Sequence, residues 1–129
     1  VGLRQIMELR EIGFGLWEGK RLVDIKKKYS EEFHNYMNKP LAYKSYGGES
    51  VEELFERVEK ALHMVMESGG ENVLIVAHGV SIKALITILK GLPRAAISEL
   101  PVFPGTSLSI FKRNEDLWEI ELEADTSHF

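Results

Sequence analysis

The sequence predicts an α/β fold with helices packed on the faces of a sheet, on three observations. Val73, Leu74, Ile75, Val76 and Ala77 form an unbroken apolar run rich in β-branched side chains, the pattern of a strand covered on both faces. Apolar stripes at helical spacing stand on both sides of that run. Towards the C-terminus two segments alternate apolar and polar residues, as half-exposed strands do. A chain of 129 residues fits one domain, residues 1–129.

Residues 1–19 read as a short extended segment running into a loop marked by Gly13, Gly15 and Gly19. Residues 21–29 suit a short helix with Leu22 and Ile25 inward and Lys26, Lys27 and Lys28 in water. Ser30 is placed to cap a second short helix carrying Phe33 and Met37, which Pro40 ends. The stretch from Tyr43 to Gly48 reads as a loop. At Ser50 the strongest helix begins: Ser50 and Glu53 match a capping box, in which each side chain satisfies a free amide of the first turn. Val51, Leu54, Phe55, Val58, Ala61, Leu62, Val65 and Met66 make its apolar face, and Gly69 and Gly70 stop it.

After the apolar strand, Gly79 turns the chain into a helix whose core face is Ile82, Leu85, Ile86 and Leu89; Gly91 and Pro93 end it. Leu108 and Ile110 alternate with Ser107 and Ser109, and Trp118, Ile120 and Leu122 with glutamates. Arg113 to Asp116 would turn the hairpin between them. A strand buried at 73–77 needs hydrogen-bonding neighbours, and few local segments offer one. A parallel neighbour outside this sequence is therefore expected.

Composition narrows the function. An apolar fraction of 44% with 28% charged residues is ordinary for a soluble globular protein, and no apolar run reaches membrane-spanning length. The opening residues lack a signal-peptide pattern. Without cysteine the chain has no disulfide, thiolate nucleophile or thiolate metal site, which agrees with a reducing cytoplasmic location. A net charge of −4 argues against nucleic acid, so an anionic substrate must meet positive charge local to its site.

Two groups suit acid–base and anion chemistry. His78 closes the apolar strand, where open α/β sheets place their ligand crevice. The next helix begins at once, so its free amides and positive dipole end face the same spot, a setting for phosphate or carboxylate. A protonated imidazole would add a cation there. The bland alternative is a core histidine bonded to a backbone carbonyl. Glu11, beside the Gly-rich loop, would act as a general acid or base if partly desolvated. Taken alone it reads more readily as a surface carboxylate paired with Arg10.

Gly13, Gly15 and Gly19 do not have dinucleotide-fingerprint spacing. Trp17 is expected in the core and Ser50 at a helix cap, while Arg57, amid an apolar face, suits a pair with Glu49. His34, His63 and His128 lie at no metal-ligand spacing and are expected to be structural or exposed. Gly105, Thr106 and Ser107 are placed to rim a site.

Taken together, these residues resemble the histidine phosphatase superfamily, the phosphoglycerate mutase-like group. Leu9-Arg10-Glu11-Ile12-Gly13-Phe14-Gly15 with Trp17-Glu18-Gly19 is similar to the family's L-x-E-x-x-x-G-x-W-E-G segment. Gly48-Glu49-Ser50 with Arg57 resembles its GES…R stretch, and Ile75-Val76-Ala77-His78-Gly79 its second histidine motif. Thr106-Ser107 and Asp125-Thr126-Ser127-His128 are similar to its last loop and terminal segment. The resemblance implies a three-layer sandwich, a mainly parallel sheet with helices on both faces, here incomplete at the N-terminus. It implies that Glu11 protonates the leaving oxygen and later helps activate water, and that His78 holds the phosphoryl oxygens. Gly79, Gly15 and Thr106 are the expected substrate-binding positions, and no metal or cofactor is implied.

One departure stands out. The family's nucleophile is a histidine in an Arg-His-Gly motif on the first strand, and no such triplet occurs here. With Val1 rather than methionine at the start, the expectation is the C-terminal part of a larger phosphomonoesterase domain, acting on a small phosphorylated metabolite and inactive as given. The short connection from Gly19 to Gly48 resembles the monophosphatase branch more than the mutases. A different class stays open: a non-catalytic remnant that binds phosphorylated ligands or a protein. An open strand edge would also favour a complementing N-terminal segment or a homodimer.

Overall fold

The computed structural model describes residues 2–129. Val1, with which the predicted extended segment begins, lies outside them. Four helices and one hairpin make up the regular structure: α1 (Leu22–Lys28), α2 (Ser30–Asn38), α3 (Val51–Glu67), α4 (Gly79–Leu89), β1 (Leu108–Asn114) and β2 (Leu117–Asp125). Single 3₁₀ turns at Met7–Leu9, Gly15–Trp17, Pro40–Ala42 and Arg94–Ser98 link them. No described helix is long and apolar enough to cross a membrane.

The α/β class is borne out, and the helices form as predicted for identifiable reasons. Ser50 Oγ accepts from Glu53 N at 3.0 Å while the Glu53 carboxylate accepts from Ser50 N at 2.8 Å, completing the capping box of α3. From its predicted stripe, Val51, Leu54, Phe55, Val58 and Ala61 are buried, and the first four pack with Ala84 and Leu85 of α4 and Ile97 into the core. Arg94 binds Glu52 and Glu59 of α3 at 2.6 and 3.2 Å, holding the Arg94–Ser98 turn against the same helix.

Trp17, predicted for the core, belongs to the same buried cluster and is the hub of its aromatic part. Its ring lies 5.3 Å from Tyr43 and 6.1–6.3 Å from Phe14, Tyr29, Phe33 and Tyr36, centroid to centroid. This cluster fastens α1 and α2 to the Gly-rich loop. Two inward assignments change. On α2 the place beside Phe33 is taken by Tyr36, three residues on, and Met37 is exposed; on α1 Leu22 is exposed and Ile25 alone is buried. Both helices are short and meet the core along a narrow line, so one position per turn is covered. Ser30 is the first residue of α2 and caps nothing; Tyr29 holds the N-cap position.

The sheet departs from expectation most. Among the described residues the paired strands are β1 and β2, antiparallel, with Asn114 opposite Leu117 around a turn at Glu115 and Asp116. Glu115 takes φ 58°, the left-handed conformation that tight hairpin turns require at a central position. Irregularities between Leu108 and Phe111 leave Leu108 and Ile110 partly exposed rather than facing a core. Residues 73–77, predicted as a buried parallel strand, run without strand pairing, and Leu74 and Val76 are 80% and 83% exposed. The reason is that, among the described residues, no other segment reaches them as a ladder partner.

Candidate active site

Two loops build the support for Glu11. The amide of Leu16 donates to the Tyr46 carbonyl at 2.9 Å and that of Glu49 to the Gly13 carbonyl at 2.7 Å, so the Gly-rich loop is zipped to residues 46–49. The backbones come so close at Gly15 (φ 58°) that a Cβ there would collide with the Tyr46 carbonyl and the Gly48 amide. Glu18 accepts from Phe14 N at 2.9 Å and closes the turn.

The Glu11 carboxylate leaves this support and reaches the start of α4. It accepts from Val80 N at 3.1 and 3.0 Å, one contact to each oxygen, and from Ser81 N at 3.0 Å. A further bond comes from Ile12 N at 3.0 Å. Val80 and Ser81 are the second and third residues of α4, whose amides have no partner within the helix. The carboxylate therefore satisfies free donors at the positive end of the helix dipole. The predicted pairing with Arg10 is corrected: Arg10 Nη1 donates to the Met7 carbonyl instead. The helix-dipole and amide bonds outcompete an exposed ion pair.

His78 sits immediately before α4 with extended backbone (φ −116°, ψ 167°). Its amide donates to Ser81 Oγ at 3.2 Å, and that hydroxyl donates back to the His78 carbonyl at 3.1 Å. The residue is exposed, which removes the core-histidine alternative. Next to it, a Cβ on Gly79 would stand 3.6 Å from Glu11 Oε2. Glu11, 67 residues before His78, thus shares the mouth of α4 with His78 and Gly79.

Thr106 lies in a groove that adjoins this site at Gly79 and is lined by neither Glu11 nor His78. This open groove of about 950 Å³ runs between residues 73–77, α3, α4 and the hairpin, and Gly79, Gly105, Thr106 and His128 line it. His128 Nε2 lies 2.9 Å from the Thr106 carbonyl, so the histidine expected to be structural fixes a loop residue that holds φ 61°. Leu62, Val65 and Met66 of α3 and Ile82 and Leu89 of α4 face this groove; they are the part of each predicted apolar stripe that stays half-exposed. Gly15 is apart from it, within the contact between the two loops. His34 pairs with Asn38 on α2, and His63 is exposed. Among the described residues no group of acidic or histidine side chains is arranged to hold a metal ion.

Glu49 and Arg57 pair as expected, at 2.5 and 2.9 Å. Burial pushes the Glu49 carboxyl up, but the Arg57 guanidinium, the Gly13 amide and Arg10 together outweigh it and hold the group below the usual carboxylate range. A residue that sequence reasoning passed over is Tyr36. Burial, with the negative charge of Glu11 and then Tyr43 adding to it, pushes its phenol up to about 12. Tyr36 stands within electrostatic reach of Glu11. The three-residue spacing to Phe33 was the available signal.

A profile of the histidine phosphatase superfamily (branch 1) matches residues 1–126. Probable phosphoglycerate mutase GpmB of Citrobacter koseri is 32% identical over 127 residues, covering 93% of this chain and 58% of that protein. Phosphoserine phosphatase 1 of Hydrogenobacter thermophilus is 30% identical over 82 residues, 63% of this chain and 39% of that protein. The structure of Bacillus stearothermophilus YhfR superposes with a TM-score of 0.87 at 32% identity, over 96% of this chain and 62% of that one. The chain thus spans about three-fifths of GpmB and YhfR.

Proposed function

The chain belongs to branch 1 of the histidine phosphatase superfamily, and we propose that it carries the acid–base and phosphate-holding half of a phosphomonoesterase site. The observation that carries this reading is the convergence of Glu11 and His78 on the mouth of α4, where backbone amides also gather. In the reaction proposed, a histidine nucleophile attacks phosphorus in line, forming the N–P bond as the ester O–P bond breaks. Glu11 gives its proton to the departing oxygen. Water then attacks the phosphohistidine, Glu11 takes a proton from it, and the N–P bond breaks to release phosphate. His78 and the amide of Gly79, the first residue of α4, hold the oxygens on which charge develops.

The nucleophile belongs to an Arg-His-Gly triplet, which these 129 residues do not contain. We therefore expect the chain by itself to turn over little or no substrate. Its substrate class is a small phosphorylated metabolite, as the phosphatase and mutase names of its relatives suggest. The apolar groove along residues 73–77 supports pairing with a segment that brings the missing strand, since it presents both an unpaired backbone and apolar walls. The same surface would serve homodimer formation.

The test joins the N-terminal part of YhfR, ending before its counterpart of Gly2, to this chain and follows p-nitrophenyl phosphate hydrolysis. Turnover in the fusion, its loss in a Glu11→Gln fusion and none in the 129-residue chain are expected. A well-folded fusion that is inert, while the unmodified chain still binds orthovanadate, would overturn the enzymatic reading and favour a non-catalytic phosphate-binding protein. The exposed His78 imidazole beside the helix mouth is the feature that second reading rests on.

A further inference from the structure

We propose that Arg57 is a positioning residue for Glu11: it touches neither the Glu11 carboxylate nor α4, yet it sets where that carboxylate stands. An arginine has five N–H donors in a planar fork, and all five are used here. Nε donates to Glu49 Oε1 at 2.5 Å and Nη2 to Glu49 Oε2 at 2.9 Å. The other Nη2 hydrogen goes to the Glu11 carbonyl at 3.2 Å, and Nη1 donates to the carbonyls of Glu8 and Arg10 at 2.7 and 2.8 Å. The side chain is only 10% exposed.

These bonds bracket Glu11 on both sides. Arg57 fixes the carbonyls of residues 8, 10 and 11 directly. Through Glu49, whose Oε2 also accepts from Gly13 N at 3.3 Å, it fixes the backbone after Glu11. Arg57 itself projects from the middle of α3, and α3 packs on α4 through Leu54, Phe55, Ala84 and Leu85. The guanidinium is therefore the rigid link between two things that must stay in register: the backbone that launches Glu11 and the helix whose first amides receive its carboxylate. Energy alone does not explain such a group, because a buried ion pair gains little net stability over apolar packing. Geometry does. A lysine would keep the charge but has one nitrogen with three donors, and cannot reach three carbonyls and two carboxylate oxygens together.

This inference deepens the proposed function, where Glu11 is the acid, but it is read without turnover. Amide hydrogen exchange and ¹⁵N shifts of Val80 and Ser81 report the Glu11 carboxylate directly, since it is the acceptor for both. Arg57→Lys is expected to speed exchange at both amides roughly tenfold, the loss of one charged acceptor, and to move their shifts towards those of Glu11→Ala. The amides of Val58 and Ala61 in the core of α3 should stay protected, which a merely structural role would not allow. Wild-type exchange and shifts at Val80 and Ser81 in folded Arg57→Lys would overturn the proposal. Should that variant fail to fold, Glu49→Gln, which frees the fork while keeping its shape, is expected to move the same two amides, and their constancy there would overturn it. In the fusion with a nucleophile segment, displaced amides with unchanged kcat would leave Arg57 a positioning residue and refute Glu11 as the acid.

Discussion

Replacing Glu11 by alanine removes the acceptor that satisfies two first-turn amides of α4, and the size of the loss can be worked from the contacts. Val80 N and Ser81 N each lie 3.0 Å from a carboxylate oxygen. Losing a side-chain acceptor at a helix N-terminus costs about 0.5–2 kcal/mol. Losing a partly buried negative charge beside the dipole adds about 0.3–1 kcal/mol. Because the two contributions describe overlapping contacts, they are not summed; about 1–2 kcal/mol is the expected destabilisation. An unfolding entropy of roughly 2.1 cal/mol/K per residue, over 129 residues, amounts to about 0.27 kcal/mol/K. The melting temperature should then fall by about 4–7 °C for Glu11→Ala. Glu11→Gln keeps one acceptor oxygen and should fall by less. Thermal unfolding followed by circular dichroism at neutral pH reads both. An alanine variant that melts with the wild type would refute the claim that Glu11 caps α4, and with it the geometry on which the catalytic reading stands.

Gly15→Ala places a Cβ against the Tyr46 carbonyl at a backbone with φ 58°; we expect a loss of at least about 1–3 kcal/mol from backbone strain alone, measured by urea unfolding, and unchanged stability would refute the close approach. Tyr36 should ionise last, near 12, in a titration of phenolate absorbance, and later than in Glu11→Gln, where one of the charges raising it is gone. Its folded value lies above the ordinary 10.0, so its contribution to stability is complete below 10.0 and is lost as pH rises towards 12. Glu49 has the opposite sign. Its folded carboxyl lies below the ordinary 4.5, so its contribution is complete above 4.5 and is lost as pH falls through the lowered value. Acid unfolding of Glu49→Gln should accordingly show a shallower pH dependence than the wild type, and an identical profile would refute the assignment.

Much of the site was legible because the relevant signals are local. Ser50 and Glu53 stand three residues apart and can satisfy only each other's amides, so the capping box follows from spacing. An arginine amid the apolar stripe of α3 calls for a buried anion, and Glu49, just before the helix, was a candidate. His78 is placed at a helix start by Gly79 and the stripe after it. The destination of the Glu11 carboxylate was not legible, since its acceptor role depends on amides 69 and 70 residues away. Locally, Arg10 was the better partner.

Residue pattern by itself determined the α/β class, the four helices, the hairpin and the family, because periodicity and motif order are properties of neighbouring residues. Tertiary structure alone decided the rest. It brought Glu11 and His78 to one helix mouth, engaged all five Arg57 donors, and put Tyr36 rather than Met37 against Trp17. It also showed Val73, Leu74 and Val76 exposed along an apolar groove, where the pattern had promised burial. Hydrophobicity states what a segment needs to cover. Only the packed chain states what covers it, because burial and hydrogen bonding belong to pairs of segments and not to either one.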